Sequence, residues 1–203
     1  EATAESLSDG WLRTGDAGQF EDDGQLIVLG RVSEVVATSD GQRFIPTYIE
    51  NRLKFSPYVR DAAVIGADRP FLSAIVCIDL DAVGHWAQEH DVSYTSYADL
   101  SQRPEVYDLV QNEIKHLNSM LPHSLFLARF VNLHKEFDPD DGEVTRTRKL
   151  RRNVIDQKYA PIIDAVYAGA DDVHFEARIT YETGQTGTLA RHLAIRSLPG
   201  RTG

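Results

Sequence analysis

Cysteine is almost missing from this chain: Cys77 is the single one in 203 residues. One thiol permits no internal disulfide, which points to a reducing compartment. It sits inside the apolar run Ser73-Ala74-Ile75-Val76-Cys77-Ile78 and reads as a small buried core residue. No apolar run approaches the roughly 20 residues that a membrane helix needs. No secretory signal opens the chain. The expectation is a soluble, cytoplasmic protein. Positive charge is also short, with 21 Lys and Arg against 31 Asp and Glu, a net charge of −10. That counts against general nucleic-acid binding, which needs a basic footprint to displace counterions. A small anionic ligand held by one local basic loop remains compatible with an acidic whole.

Several chemical signatures are absent as well. There is no G-x-x-x-x-G-K-[ST], no G-x-G-x-x-G and no G-x-S-x-G. If the chain handles nucleotides, the main phosphate cradle lies elsewhere. The seven histidines show no metal spacing: His85 and His90 are five apart, His116 and His123 seven. They read as surface or core residues, and no metal site is expected. Asp138-Pro139-Asp140-Asp141-Gly142 faintly resembles a calcium loop, but its glycine falls one place early. Lys149 stands where the bidentate glutamate belongs, so that reading is rejected. No internal repeat or low-complexity segment is seen.

What is present suffices for one substantial core, or one core plus appendages: 42% of the residues are hydrophobic and 26% charged. The chain begins Glu1-Ala2-Thr3-Ala4 without a methionine, and its first residues read as the middle of a longer protein. Residues 1–30 hold strand-like stretches at Trp11–Thr14 and Gln25–Gly30, with turns at Asp9-Gly10 and Asp22-Asp23-Gly24. These are too few strands for an independent core. Arg31-Val32-Ser33 reads as a linker or hinge. A strand at Glu34–Thr38 and an extended Phe44-Ile45-Pro46 precede a helix over Thr47–Lys54, with Thr47 and Glu50 matching a capping box. Strands at Val59–Gly66 and Phe71–Leu80, helices at Asp81–Gln88 and Arg103–Leu121, and a strand at Leu125–Leu133 follow. Two short helices, Leu150–Lys158 and Pro161–Tyr167, lead to a β-hairpin over Val173–Leu198 with an exposed polar face. The fold class is α+β, a small sheet packed with helices.

The stretch Val144-Thr145-Arg146-Thr147-Arg148-Lys149-Leu150-Arg151-Arg152 concentrates five cationic side chains in nine residues, after the acidic turn Asp138–Glu143. A mobile loop delivering positive charge to a helix start suits phosphate or carboxylate oxygens. It can equally be a solvated helix face, a nucleic-acid patch, or the carrier of one catalytic lysine. Asp16, after Thr14-Gly15, can accept two hydroxyl hydrogen bonds, as a ribose-binding carboxylate does, or close an Asx-type turn. Arg31 can be a surface residue at a domain edge, and Gly41 an ordinary turn glycine.

Taken in order, Trp11-Leu12-Arg13-Thr14-Gly15-Asp16, Gly30-Arg31, Gly41 with Ile45-Pro46 and Ile49-Glu50, and the lysine loop resemble the AMP-forming acyl-CoA synthetases of the adenylate-forming superfamily. The resemblance covers residues 1 to about 167. Pro57–Gly66, Arg69–Ala74, the helical insert Trp86–Leu121 and the Thr145-x-Thr147-x-Lys149 form are most similar to the long-chain fatty acid–CoA ligase branch.

The resemblance implies a fatty acid activated with ATP to an acyl-adenylate, then transferred to CoA. Mg2+ would accompany ATP, with its ligands in a preceding N-terminal domain. The resemblance also implies residues 1–30 as the last strands of that large N-terminal domain, 31–33 as the hinge and 34–168 as a mobile C-terminal domain; residues 169–203 lie beyond the family pattern and read as an accessory hairpin tail. Asp16 would bind the ribose hydroxyls and Arg31 would assist at ribose and phosphate. Lys149 would serve adenylation, Ser33 the hinge, and Gly41 with Arg43 the CoA step. Two positions depart from the pattern: Ser33 stands where Asp or Lys is usual, and the usual Ser-Gly-Lys before the lysine is absent. The motifs of the ATP and fatty-acid sites precede this region, so the fragment alone is expected to be inactive. The implied partners are ATP, fatty acid, CoA and the chain's own N-terminal domain, with no nucleic acid; a peripheral membrane contact of the parent is left open. Ligases for another carboxylic acid and a non-catalytic interaction module are the rival readings.

Overall fold

Short antiparallel pairs open the molecule in its computed structural model, which describes residues 7–8, 11–20, 23–180 and 186–200. Strands β1 (Leu7–Ser8) and β2 (Trp11–Leu12) pair, as do β3 (Asp16–Phe20) and β4 (Leu26–Arg31). The expected turn at Asp9-Gly10 lies outside the described residues, as does Asp22. Most of these strands' large side chains are exposed, among them Trp11, Phe20, Leu26 and Val28. A one-turn 3-10 helix, Val32–Glu34, leads to the small hairpin of β5 (Val36–Ala37) and β6 (Arg43–Phe44).

Helix α1 (Pro46–Leu53) starts one residue before the sequence reading, and this overturns the capping box. Ile45 is the N-cap, without a side-chain hydrogen bond, and proline opens the helix. Thr47 is therefore already inside, and Glu50 turns into the protein rather than back to the cap. Strands β7 (Val59–Ile65) and β8 (Leu72–Ile78) follow, then α2 (Leu80–Glu89), whose true cap is Asp79, accepting from the Ala82 amide at 3.0 Å. Helix α3 (Tyr97–Ser101), unforeseen because five residues show no periodicity, is capped by Ser96. Then come α4 (Pro104–Met120), β9 (Leu127–Asn132), α5 (Arg152–Lys158) and α6 (Ala160–Tyr167). The tail supplies β10 (Asp172–Thr180), β11 (Thr186–Ala194) and β12 (Arg196–Ser197); residues 181–185, between β10 and β11, lie outside the described residues.

The organising element is a four-stranded sheet in the order β12-β9-β8-β7, with β8 and β9 parallel. Period-two alternation divides its side chains between two cores. Ala62, Val64, Ala74, Val76 and Ile78 face α1, α2 and α4, whose Ile49, Leu53, Val83, Val106, Val110 and Ile114 cover them. Ala63, Ile75, Cys77 and Val131 face the other way, against Ile155, Tyr159, Ile162 and Val166 of α5 and α6. Every residue of β8 is buried, which is why its sequence is apolar without alternation. The tail hairpin alternates as read: Val173, Phe175, Leu193 and Ile195 enter the second core while Asp172, His174, Glu176 and His192 stay outside. Among the described side chains its polar face is thus exposed, and β12 completes the sheet edge.

Candidate active site

The lysine segment is a bonded turn rather than an open loop. Val144 and Leu150 form an antiparallel bridge. Inside it, the Thr145 amide donates to the Lys149 carbonyl at 2.8 Å and the Arg148 amide to the Thr145 carbonyl at 2.9 Å. The Thr145 hydroxyl accepts from the Lys149 amide at 3.0 Å and stands 3.0 Å from the Thr147 hydroxyl. Short hydroxyls satisfying nearby backbone are the local use of threonine here. Arg148 sits in the left-handed region at φ 59, which costs a side chain with Cβ about 1–2 kcal/mol.

Beneath the turn, Glu143 is fully buried and held by Lys135 at 2.8 Å, Lys158 at 2.7 Å and the Tyr159 hydroxyl at 2.5 Å. Burial alone would raise its carboxyl, but these three donors outweigh it and hold the pKa below the ordinary glutamate value. Asp141 shares both lysines. The Glu143 carbonyl accepts from the Arg151 amide at 2.9 Å, so the network fixes the base of the turn.

The five-cation cluster does not act as one. Arg148 turns inward to Asp61, a buried carboxylate on β7. Arg152 turns inward to Glu50, which also accepts from the Val64 amide at 2.8 Å. Burial pushes the Glu50 carboxyl above its usual value, against the pull of Arg152. Arg146, Lys149 and Arg151 face outward. Lys149 has a side chain 71% exposed, with its ammonium 3.5 Å from Glu34.

Asp16 and Arg31 are brought together as cross-strand partners on β3 and β4, 3.1 Å apart. Arg31 also donates to the Thr14 carbonyl at 3.0 Å. Gly15 makes the corner with φ +74, and its carbonyl accepts from the Val32 amide at 2.9 Å. Ser33 is exposed in the 3-10 turn that follows, flanked by extended Arg31 and Val35. Ser33, Glu34, Thr47, Glu50, Lys54 and Lys149 line one groove of about 590 Å³.

Gly41 and Arg43 lie elsewhere. Gly41 forms the β5–β6 turn at φ +86, and a Cβ there would meet nothing within 4 Å. Arg43 lines a second, largely apolar cavity of about 350 Å³ with Ile27, Leu29, Tyr48, Ile49 and Arg52. Helix α1 separates the two spaces, giving Thr47, Glu50 and Asn51 to the first and Tyr48, Ile49 and Arg52 to the second. Glu34 and Asp61 escaped the sequence reading as site residues, and Glu50 entered it only as a helix cap and a motif neighbour of Ile49. Glu50 was signalled by its place four residues after Pro46 on the buried stripe with Ile49 and Leu53. Asp61 was signalled as a charge within an apolar strand.

A family model for the AMP-binding enzyme C-terminal domain matches residues 33–171. The chain is 33% identical over 168 residues to the long-chain-fatty-acid–CoA ligase FadD15 of Mycobacterium tuberculosis, covering 82% of this chain and 28% of that one. It is 30% identical over 190 residues to the long-chain-fatty-acid–CoA ligase ACSBG2 of Gallus gallus, covering 84% of this chain and 25% of that one. It thus spans about a quarter of the length of the curated relatives it matches. Among solved structures, the adenylation domain of a carboxylate reductase from Mycobacterium chelonae superposes with a TM-score of 0.57 at 24% identity, covering 82% of this chain and 25% of that one. The α+β fold and the matched residues agree: this chain belongs to the AMP-binding enzyme C-terminal domain family.

Proposed function

We propose that this chain is the C-terminal portion of a long-chain fatty acid–CoA ligase, in which residues 34–168 form a mobile lid and Lys149 serves adenylation. The observation that carries the reading is the sorting of cations on the lysine turn. Two arginines are consumed by buried carboxylates, while Lys149 is left projecting at the edge of the groove shared with Ser33 and Glu34. A compact ammonium there can meet both the fatty-acid carboxylate and the α-phosphate of ATP as the carboxylate attacks phosphorus and pyrophosphate leaves. The long-chain assignment is supported by similarity to the long-chain-fatty-acid–CoA ligases from Mycobacterium tuberculosis and Gallus gallus.

In this reading Asp16, oriented by Arg31, accepts the ribose hydroxyls. Ser33 is the joint about which the lid turns, because a single 3-10 turn between extended residues can absorb a change in φ and ψ. The lid then presents the other side of α1, where the open Gly41 turn lets a pantetheine chain run beside backbone and Arg43 meets a CoA phosphate. The CoA thiol displaces AMP from the acyl-adenylate. Residues 1–30 belong with the large domain, which their exposed Trp11, Phe20, Leu26 and Val28 would pack against. Magnesium accompanies ATP, with its ligands in the large domain; among the described residues no group of three His, Cys, Asp or Glu side chains is arranged to hold an ion. The chain alone is catalytically silent.

The test is Lys149→Ala in the ligase that carries this chain, with the half-reactions assayed separately. Pyrophosphate release from ATP and palmitate should fall by about 100-fold or more, while thioester formation from supplied acyl-adenylate is largely spared. Unchanged pyrophosphate release would remove Lys149 from the chemistry, and a docking role for the basic turn would then stand.

A further inference from the structure

We infer that Asp61 is a positioning residue for Lys149, acting through Arg148. The inference rests on the reading of Lys149 as the adenylation lysine. Three independent features meet at this point. Arg148 adopts φ 59, a conformation that a glycine would take without cost and that residues with a Cβ leave when nothing holds them. Its guanidinium reaches Asp61, a carboxylate only 2% exposed, set where the β7–β8 register shifts between Val59 and Asp61. Glu136 at 3.7 Å from Arg148 and Lys54 at 4.0 Å from Asp61 complete the charge set around the pair.

The next residue is Lys149, with its side chain outward. The backbone between the two is therefore a lever. With Arg148 anchored to a buried charge, the left-handed residue stays left-handed, and the Lys149 amide stays on the Thr145 hydroxyl. Released, residue 148 would relax toward the right-handed or extended region and swing the ammonium away from the groove. A latch from the lid's own sheet thus does here what a glycine before the lysine would do by conformational freedom alone.

Comparison of Arg148→Met with Arg148→Gly separates this role from plain stability. Both lose the ion pair, but only methionine keeps the Cβ that disfavours the conformation. Arg148→Met and, in parallel, Asp61→Asn should slow adenylation about tenfold, with thioester formation from supplied adenylate unchanged. Arg148→Gly should retain most of the adenylation rate, and adding Asp61→Asn to it should cost little more. On the 203-residue chain, limited trypsin digestion should cut within 146–152 faster in Asp61→Asn, which keeps every cleavable bond of that segment, than in the unaltered protein. Equal losses in Met and Gly variants, equal losses in both half-reactions, or unchanged trypsin sensitivity would overturn the latch. Lys149→Ala run alongside identifies the other failure: if it leaves adenylation intact, the reading of Lys149 falls, while the trypsin comparison still judges the latch.

Discussion

His134 shows how a single side chain ties this fold to pH. It is 5% exposed, lies 5.6 Å from the Phe175 ring, and neither ring nitrogen has a hydrogen-bond partner among the described residues. Burial, then the nearby charges of Lys135 and Arg191, push its pKa from 6.5 down to about 4, with Glu143 pulling weakly the other way. The unfolded chain therefore binds the extra proton between those values. Stability is fully present above pH 6.5 and is lost as pH falls to about 4, by roughly 3 kcal/mol. Asp141 and Glu143, whose carboxyls are held low, add losses in the same direction, but only below the ordinary carboxylate range. Urea unfolding at intervals between pH 7 and 4.5 should show the slope, and His134→Phe should flatten it in that window. An unaltered slope in the variant would assign it to other groups.

At the scale of elements, the Glu50–Arg152 pair joins three of them. Glu50 on α1 receives the Val64 amide of β7 and the Arg152 guanidinium from the first residue of α5, 102 positions away. One carboxylate thus fixes a helix, a strand and the end of the lysine turn in one arrangement. Arg152→Ala would leave Glu50 buried with only Lys54 as a distant countercharge. Removing one partner of a fully buried pair costs 3–5 kcal/mol; since Arg152 keeps some solvent contact, about 2–3 kcal/mol is expected here. Thermal unfolding measures it. A loss below 0.5 kcal/mol would mean that Glu50 simply takes up a proton, consistent with burial already favouring that form. The same element also explains why a capping box was read into Thr47 and Glu50: the spacing was right, but the preceding proline, not threonine, began the helix.

For the molecule as a whole, the apolar surface is unevenly placed. Trp11 is 79% exposed, Phe20 71% and Val28 61%, all on the opening hairpins, whereas the two cores flanking the four-stranded sheet are closed. No helix among the described residues is long and apolar enough to cross a membrane. The exposed hairpin side chains should make the chain self-associate when studied by itself. Val28→Glu with Phe20→Glu should lower the association seen by sedimentation velocity, while changing stability by no more than about 0.5 kcal/mol, because neither side chain enters a core. In the proposed parent ligase, the same pair should impair folding or activity if these strands pack against a large domain. Full activity there would argue against that packing.

Local rules settled much of this protein before any coordinates. Short apolar runs located β7 and β8, alternation located the tail hairpin, helical spacing located α4, and Gly15 and Gly41 marked turns that do need positive φ. The lysine turn and its acidic lead-in were legible because charge density is a property of neighbours in sequence. Which of its cations remain free was not legible. Arg148 finds Asp61 at a separation of 87 residues and Arg152 finds Glu50 at 102. Pairing over such distances is decided only when β7, α1 and α5 pack together. The division of the two grooves by α1 has the same origin. Sequence alone determined which residue types could do the chemistry; tertiary structure decided which of them are spent on holding the fold, because a buried carboxylate must be paired and takes the nearest cation the packing supplies.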